Sequence, residues 1–177
     1  MKPIAELAAE HGPIKLMLRV LEKICKKIEA GEAVPVEHLE RAVVFIREFA
    51  DKCHHGKEEN LLFPAMKEKQ IADEISLIEE LIEEHKAARN FARGMAEGIE
   101  AKNLGRFSEN ARGYISLLDR HIDKENNVLF PMADTSLSEE KKNELEAGFE
   151  NVEKNVVGVG RHKELQGLIH QLKEIYK

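Results

Sequence analysis

The chain has 177 residues, 34% of them charged, and a formal net charge of −6. Lysines and arginines are scattered among the acidic residues, so no basic face is available to neutralise a row of nucleic-acid phosphates. The first residues lack the apolar core of a signal peptide, and no stretch approaches the roughly 18 apolar residues of a membrane span. We therefore expect a cytoplasmic protein that binds neither nucleic acid nor membrane.

Abundant Glu, Lys, Leu, Ala and Ile favour long amphipathic helices over a sheet. The helical pattern is broken at four places, which are residues 31–35, 67–73 and 102–105, and Pro131. The predicted fold is all-α, an antiparallel up-down-up-down four-helix bundle over residues 1–131. Residues 132–177 are predicted to form a C-terminal helical extension packed on the bundle. Neither of the two cysteines, Cys25 and Cys53, indicates a disulfide or a zinc knuckle.

Each of the four long segments carries a histidine on its apolar side. In the first, His11 shares a face with leucine and isoleucine side chains, provided that the helix continues past Pro13, which lacks an N–H. In the third and fourth segments, His85 and His121 each lie within an apolar stripe whose members fall within about 60° of the histidine. The histidines are therefore predicted to point into the bundle.

The second and fourth segments contain the same motif. Residues 54–64 (HHGKEENLLFP) align without a gap with residues 121–131 (HIDKENNVLFP), which gives two His-x-x-x-Glu pairs. A histidine and a glutamate four residues apart project from one side of a helix, so both can reach one metal ion. Helix lengths place all of these side chains at one height in the bundle. The predicted metal ligands are His11, His54, Glu58, His85, His121 and Glu125.

His55 and Glu59 repeat the four-residue spacing one position later. The apolar stripe of the second segment is centred about 60° from His54 but about 160° from His55, and Glu59 is likewise turned away. Helical phase and the repeat alignment therefore both select His54 and Glu58 as the ligands. Glu59 stays a candidate for an adaptable ligand or for a carboxylate that supports a ligand from behind.

Two further residues are candidates for the surroundings of the metal ions. Tyr114 lies on the same face as His121 and could donate a hydrogen bond to a bound oxygen species, although a core position is the commoner role of such an aromatic residue. His162 begins the last predicted helix after a glycine break and could add a fifth nitrogen ligand. Helix capping or a surface hydrogen bond is the commoner role for a histidine at such a place.

Four imidazoles and two carboxylates suit iron or manganese better than the thiolate-rich ligand sets of structural zinc. We expect two iron ions with an oxo or hydroxo bridge, because two carboxylates alone do not neutralise two ferrous ions. If both glutamates bridge, each metal keeps an open coordination position. The expected ligand is a small diatomic molecule or peroxide.

The order His, His-x-x-x-Glu, His, His-x-x-x-Glu, with Leu-Phe-Pro after both glutamates, resembles the hemerythrin-like (HHE cation-binding) family over about residues 4–131. The resemblance implies a di-iron centre in a family whose members bind dioxygen, sense iron or oxygen, respond to nitric oxide or peroxide, or assist iron–sulfur repair. Arg89 stands where the oxygen-carrying hemerythrins have a further histidine, one turn after His85. The chain is instead similar to the bacterial and archaeal members with four histidines and two glutamates.

We therefore expect a non-haem di-iron protein that binds or senses dioxygen, nitric oxide or peroxide. The alternatives are a di-iron redox enzyme that consumes peroxide or oxidises iron, and a protein of iron–sulfur repair or iron handling. The same ligands serve all of these roles, so the ligand set does not choose between binding and catalysis.

Overall fold

A computed structural model describes residues 2–177, and all regular secondary structure in this range is helical. Six helices follow one another: α1 (Pro3–Glu29), α2 (36–67), α3 (Ala72–Glu100), α4 (104–136), α5 (139–158) and α6 (Arg161–Ile175). None of these described helices is both long and apolar enough to cross a bilayer.

Three of the helices combine α-helical and π-helical turns. The π-helical segments are Ile46–His55 and Glu58–Leu62 in α2, Glu125–Leu129 in α4, and Val152–Gly158 in α5. A π-helix bonds residue i to residue i+5 and holds more residues per turn than the 3.6 or so of an α-helix. Each π-helical segment therefore changes the direction in which the following side chains point. In α2 and α4 these segments coincide with the repeated motif.

The ends of several helices have clear local causes. Gly31 follows α1 with a positive φ of 75°, a conformation that favours glycine. The Asn103 side chain caps α4 by accepting a hydrogen bond from the backbone N–H of Arg106 at 3.0 Å. Ser138 caps α5 in the same way at 3.1 Å, and Gly160, with a φ of 80°, separates α5 from α6. Pro13 lies within α1 without ending it.

The helix end predicted at Pro131 is wrong, because α4 continues to Ser136. Pro64 and Pro131 each lie in the first α-helical turn after a π-helical segment. A proline is tolerated in the first turn of an α-helix, where its missing N–H removes no necessary hydrogen bond. Both prolines therefore sit inside continuous helices.

Each of the first four helices packs against two of the others: α1 packs against α2 and α4, and α3 packs against α2 and α4. The contact between α3 and α4 depends on Gly98, since a Cβ atom there would lie 2.7 Å from the backbone nitrogen of Phe107. Helices α5 and α6 pack against α1 and α2. The C-terminal extension therefore lies on the α1 and α2 side of the molecule.

Two apolar clusters fill the interior, and a layer of buried histidines and glutamates lies between them. The larger cluster includes Ile14, Ile24, Phe45, Phe49, Ala88, Met95, Phe107, Leu118 and, from α6, Leu165 and Ile169. The smaller cluster includes Leu7, Leu62, Phe63, Ile78, Leu81, Leu129 and Phe130. In chain order, α1 and α3 contribute to the smaller cluster first, whereas α2 and α4 contribute to the larger cluster first.

Candidate metal centre

The six ligands predicted from the sequence lie together in the layer between the two apolar clusters, and none is more than 2% exposed. They come from all four long helices: His11 from α1, His54 and Glu58 from α2, His85 from α3, and His121 and Glu125 from α4. Along each of these helices, apolar residues precede and follow the ligands and bury the layer from both sides. The fold thus brings together side chains that are far apart in sequence.

The four histidines form two pairs. The Nε2 atoms of His11 and His54 are 3.1 Å apart, and those of His85 and His121 are 3.2 Å apart. With a metal–nitrogen bond of about 2.1 Å, as imidazole makes to zinc, such a separation corresponds to an angle of about 95° at a shared metal. Each pair therefore has the spacing of two neighbouring ligands of one ion.

Each glutamate contacts both histidine pairs. One carboxylate oxygen of Glu58 lies 3.2 Å from His54 Nε2, and the other lies 3.1 Å from His85 Nε2. Oε1 of Glu125 lies 3.1 Å from His11 Nε2 and 3.3 Å from His121 Nε2. The arrangement therefore suits two adjacent cations that share both carboxylates.

Several buried polar atoms of this layer have no hydrogen-bond partner within residues 2–177. They are both carboxylate oxygens of Glu58, Oε2 of Glu125 and Nε2 of His55. Burying a carboxylate oxygen without a partner is costly, and a cation between the side chains would supply the missing interactions. The mixture of imidazole and carboxylate donors fits iron. The residues present therefore fit the metal ions that the sequence predicts.

His55 is buried, and the prediction that it points away from the interior is wrong. Its ring stacks on His85 with the centroids 3.9 Å apart, and its donor atom groups with those of Glu58, His85 and His121, all within 4.8 Å of one another. The predicted orientation assumed α-helical geometry, whereas Ile46–His55 is π-helical and rotates the side chain inward. Burial and the neighbouring histidines hold the pKa of His55 well below its ordinary value, so His55 is neutral, the form that binds metals.

The outer ring nitrogen of each paired histidine is also bonded. Such bonds fix the ring orientation of metal-binding histidines and are typical of metal centres. The Nδ1 atoms pair as follows: His54 with Glu10, His85 with Glu59 and His121 with Glu84, each at 2.9 Å, and His11 with Asn126 at 2.8 Å. Helical phase predicted that Glu59 points away from the interior. Its carboxylate instead accepts hydrogen bonds from the outer ring nitrogen of His85 and from Arg89.

Ion pairs with glutamates outweigh burial in setting the pKa values of His54 and His121. Burial alone would lower the pKa of His54, but Glu58 and Glu10 raise it to about 10. His121 behaves in the same way, since Glu125 and Glu84 outweigh burial and raise its pKa to about 10. Protonated His54 and His121 therefore pair with the carboxylates in the metal-free protein, and binding of a metal ion there would release protons.

The internal repeat extends to a lysine behind each supporting glutamate. Lys57 Nζ lies 2.7 Å from Glu10, and Lys124 Nζ lies 2.7 Å from Glu84. The signal is visible in the sequence, because a glutamate directly precedes His11 and His85, and a lysine directly precedes Glu58 and Glu125. Residue types alone did not reveal that these side chains form two Lys–Glu–His chains.

The two lysines differ in burial, because the C-terminal extension covers only one of them. Lys57 is completely buried and also bonds Glu6 at 3.0 Å and Glu153 at 3.4 Å, and its ammonium lies 5.5 Å from the centre of the Phe149 ring. Lys124 is 25% exposed. Outside the metal layer, the C-terminal extension therefore gives the two copies of the repeated motif different surroundings.

His162 lies outside the layer, on the far side of Glu10. Its Nδ1 atom lies 2.9 Å from Glu153 and 3.9 Å from Cys53 Sγ. The ammonium of Lys57 already supplies the positive charge that Glu10 and Glu153 need. The fifth imidazole beside the layer is thus His55 rather than His162. Burial, aided by the charge of Glu10, raises the pKa of Cys53 to about 12 and keeps it a thiol.

Tyr114 is buried in the larger apolar cluster. It lies on the wall of a cavity that His55 also lines. Burial, together with the charge of Asp51, raises the pKa of Tyr114, so its hydroxyl stays protonated.

The helical fold holds a buried His/Glu layer whose side chains could bind metal cations. The family model of the hemerythrin HHE cation-binding domain matches residues 2–133, and the chain belongs to this family. Uncharacterised proteins of Mycobacterium bovis (strain ATCC BAA-935 / AF2122/97) and Mycobacterium tuberculosis (strain ATCC 25618 / H37Rv) are similar to it. Each is 24% identical over 173 residues, covering 87% of this chain and 67% of the relative. No solved structure matches the chain.

Proposed function

We propose that this chain is a non-haem di-iron protein that binds or senses dioxygen, nitric oxide or peroxide. The observation that carries the proposal is the pair of glutamates, Glu58 and Glu125, each in contact with both histidine pairs. Both carboxylate oxygens of Glu58 and Oε2 of Glu125 lack a hydrogen-bond partner within residues 2–177. One iron would be held by His11 and His54, the other by His85 and His121, and both would share the glutamates. His55 would add a nitrogen at the second position.

The bound irons would supply redox chemistry and open coordination positions. The side chains around them have separate tasks. Glu10, Glu59 and Glu84 hold the imidazole rings by their outer nitrogens, which keeps the inner nitrogens directed at the centre. The apolar clusters on both sides of the layer limit the access of water.

We also propose that α1 to α4 form an antiparallel up-down-up-down four-helix bundle. The alternating order in which these helices contribute to the smaller and larger clusters supports this topology. Short connections between successive helices are typical of antiparallel neighbours. In such a bundle, one ligand-bearing turn from each helix falls at the same height.

Metal analysis of protein loaded with ferrous iron without oxygen tests the centre. We expect two irons per chain. Glu58→Ala should lower the bound iron to one per chain or less, because it removes the carboxylate shared by both positions. His170→Ala is the matched control, since His170 is exposed on α6 and should leave two irons in place. Binding of a single zinc ion in place of iron would contradict the proposal.

Rapid mixing of the diferrous protein with dioxygen, nitric oxide or hydrogen peroxide then separates the roles. A stable adduct that reverses when the gas is removed supports binding or sensing. Repeated turnover of peroxide supports the enzymatic alternative. Absence of any spectral change with all three reagents would refute both roles while leaving the metal content as an independent result.

A further inference from the structure

Five side chains of α2 and α3 form a closed network of contacts beside the metal layer, here called the Arg89 network. Three of them are spaced by four residues on α2 and two by four residues on α3: Asp51, His55, Glu59, His85 and Arg89. The Arg89 guanidinium donates hydrogen bonds to two carboxylates, from Nε to Asp51 at 2.9 Å and from a terminal nitrogen to Glu59. Asp51 lies 3.4 Å from His55 Nδ1, and Glu59 lies 2.9 Å from His85 Nδ1. The stacked rings of His55 and His85 close the network.

The two stacked imidazoles point at the same metal position. Their planes are 17° from parallel, and the centroids are 3.9 Å apart. Both residues belong to one group of possible ligands, and Nε2 of His55 has no hydrogen-bond partner within residues 2–177. A carboxylate oxygen accepts hydrogen bonds, so Nδ1 of each ring donates and Nε2 keeps the lone pair that can bind a metal ion. The carboxylates therefore set the direction of both lone pairs.

The duplicated half of the chain does not repeat the Arg89 network. Aligned with the first motif, α4 has apolar or neutral side chains where α2 has the members of the network: Leu118, Ile122 and Asn126. Lys15 of α1 stands at the position of Arg89, and it pairs with Asp123 at 3.9 Å. The network is thus an addition to one of the two metal positions and does not follow from the shared motif.

Arg89 holds together two carboxylates that would otherwise repel each other. The Asp51 and Glu59 side chains are 31% and 23% exposed, so each can turn towards water if its cation is removed. The planar guanidinium bonds two acceptors in a fixed geometry, which the ammonium of a lysine does not do. Loss of Arg89 would therefore release the outer nitrogens of both imidazoles.

We propose that Arg89 is a positioning residue for the second metal position, where it acts through Asp51 and Glu59 to hold the rings of His55 and His85 on the same ion. Arg89 itself does not touch the metal position. The inference rests on the proposed di-iron centre, because that centre supplies the ion. Since the network serves only one position, its loss should affect only one of two metal-binding steps.

Anaerobic titration of the metal-free protein with ferrous iron measures both steps. Arg89→Met should weaken one step about 10- to 100-fold, the usual effect of losing a group that supports a metal ligand, and should leave the other step nearly unchanged. Arg89→Lys keeps the charge but not the fork, so it should recover part of the loss. Two control variants should change neither step: Lys15→Met at the equivalent position of α1, and Arg93→Met, which is exposed one turn further along α3.

A positioning role also predicts that the effects of Arg89 and His55 are not additive. In protein that carries His55→Ala, Arg89→Met should weaken iron binding less than it does in the original chain, because one of the two rings that it holds is already missing. A general loss of stability would instead act equally in both backgrounds. Equal effects in the two backgrounds would therefore overturn the inference.

Nuclear magnetic resonance of the imidazole nitrogens tests the network without iron. In the metal-free protein, the His55 signal, assigned by its loss in His55→Ala, should show a proton on Nδ1 alone. Arg89→Met should allow the proton to exchange between both nitrogens. If iron does not bind but this change occurs, the network stands and the di-iron proposal fails. An unchanged His55 signal, or iron binding that Arg89→Met leaves unchanged, would overturn the inference.

Discussion

Lys57 and Lys124 occupy equivalent positions in the duplicated motif, so replacing each by methionine compares one ion pair in two environments. Methionine keeps much of the apolar stem and removes only the charge. Lys57→Met leaves Glu10, which is 4% exposed, with His54 but without its ammonium partner, and it also removes a partner of Glu6 and Glu153. Lys124→Met removes a cation whose partners face water more openly.

The expected losses follow from burial. Removing one partner of a buried, hydrogen-bonded ion pair costs about 3–5 kcal/mol, because the remaining charge stays buried. Ion pairs at the surface contribute about 0–1 kcal/mol. Lys57 is fully buried, whereas Lys124 is 25% exposed and one of its partners, Glu80, is 58% exposed. We therefore expect Lys57→Met to cost at least about 2 kcal/mol more than Lys124→Met.

Urea unfolding of the metal-free protein, followed by circular dichroism, measures both free energies of unfolding. Equal dependence of stability on urea concentration in the three proteins would show that the denatured states are comparable. Losses that agree within about 0.5 kcal/mol would refute the reasoning, since they would mean that covering by α5 and α6 does not strengthen the Lys57 interactions.

Three further predictions concern the metal layer and the helix packing. The pKa of about 10 for His54 and His121 lies above the unfolded value of 6.5. Their contribution to the stability of the metal-free protein is therefore complete below pH 6.5 and is lost as the pH rises towards 10. Urea unfolding at several pH values measures this loss. His55→Ala should weaken one of the two iron-binding steps about 10- to 100-fold and leave the other nearly unchanged in an anaerobic metal titration. Gly98→Ala should destabilise the protein by about 1–3 kcal/mol by forcing α3 from α4, whereas Gly167→Ala, with open space around it, should not destabilise it in thermal unfolding.

The ligands of the layer were predictable because their four-residue spacing gives the same result even if the helix departs slightly from α-helical geometry. His54 and Glu58 are four residues apart, as are His121 and Glu125, and side chains four residues apart stay on one side of any helix close to α-helical geometry. The orientation of His55 was not predictable in this way. It depends on the angle accumulated over ten residues, and the π-helical bonding of Ile46–His55 changes that angle.

The supporting residues show a different limit of sequence reasoning. The repeat contains Glu10 and Glu84 at equivalent positions, and Lys57 and Lys124 likewise, but their contacts join different helices. Periodicity describes each helix by itself, so it does not reveal which residues of two helices face each other. The inferred helix end at Pro131 failed for a local reason, since the preceding π-helical turns make the proline a first-turn residue.

The duplicated sequence thus builds a centre whose two halves are not equivalent. The half that contains His54 is backed by the buried Lys57 and covered by α5 and α6. The half that contains His85 and His121 has the additional imidazole of His55 and borders the cavity. Because His55 adds a third imidazole to the second half, that half would leave fewer coordination positions free than the first half, which offers two imidazoles. Divergence outside the ligand set therefore assigns different tasks to two nearly identical motifs.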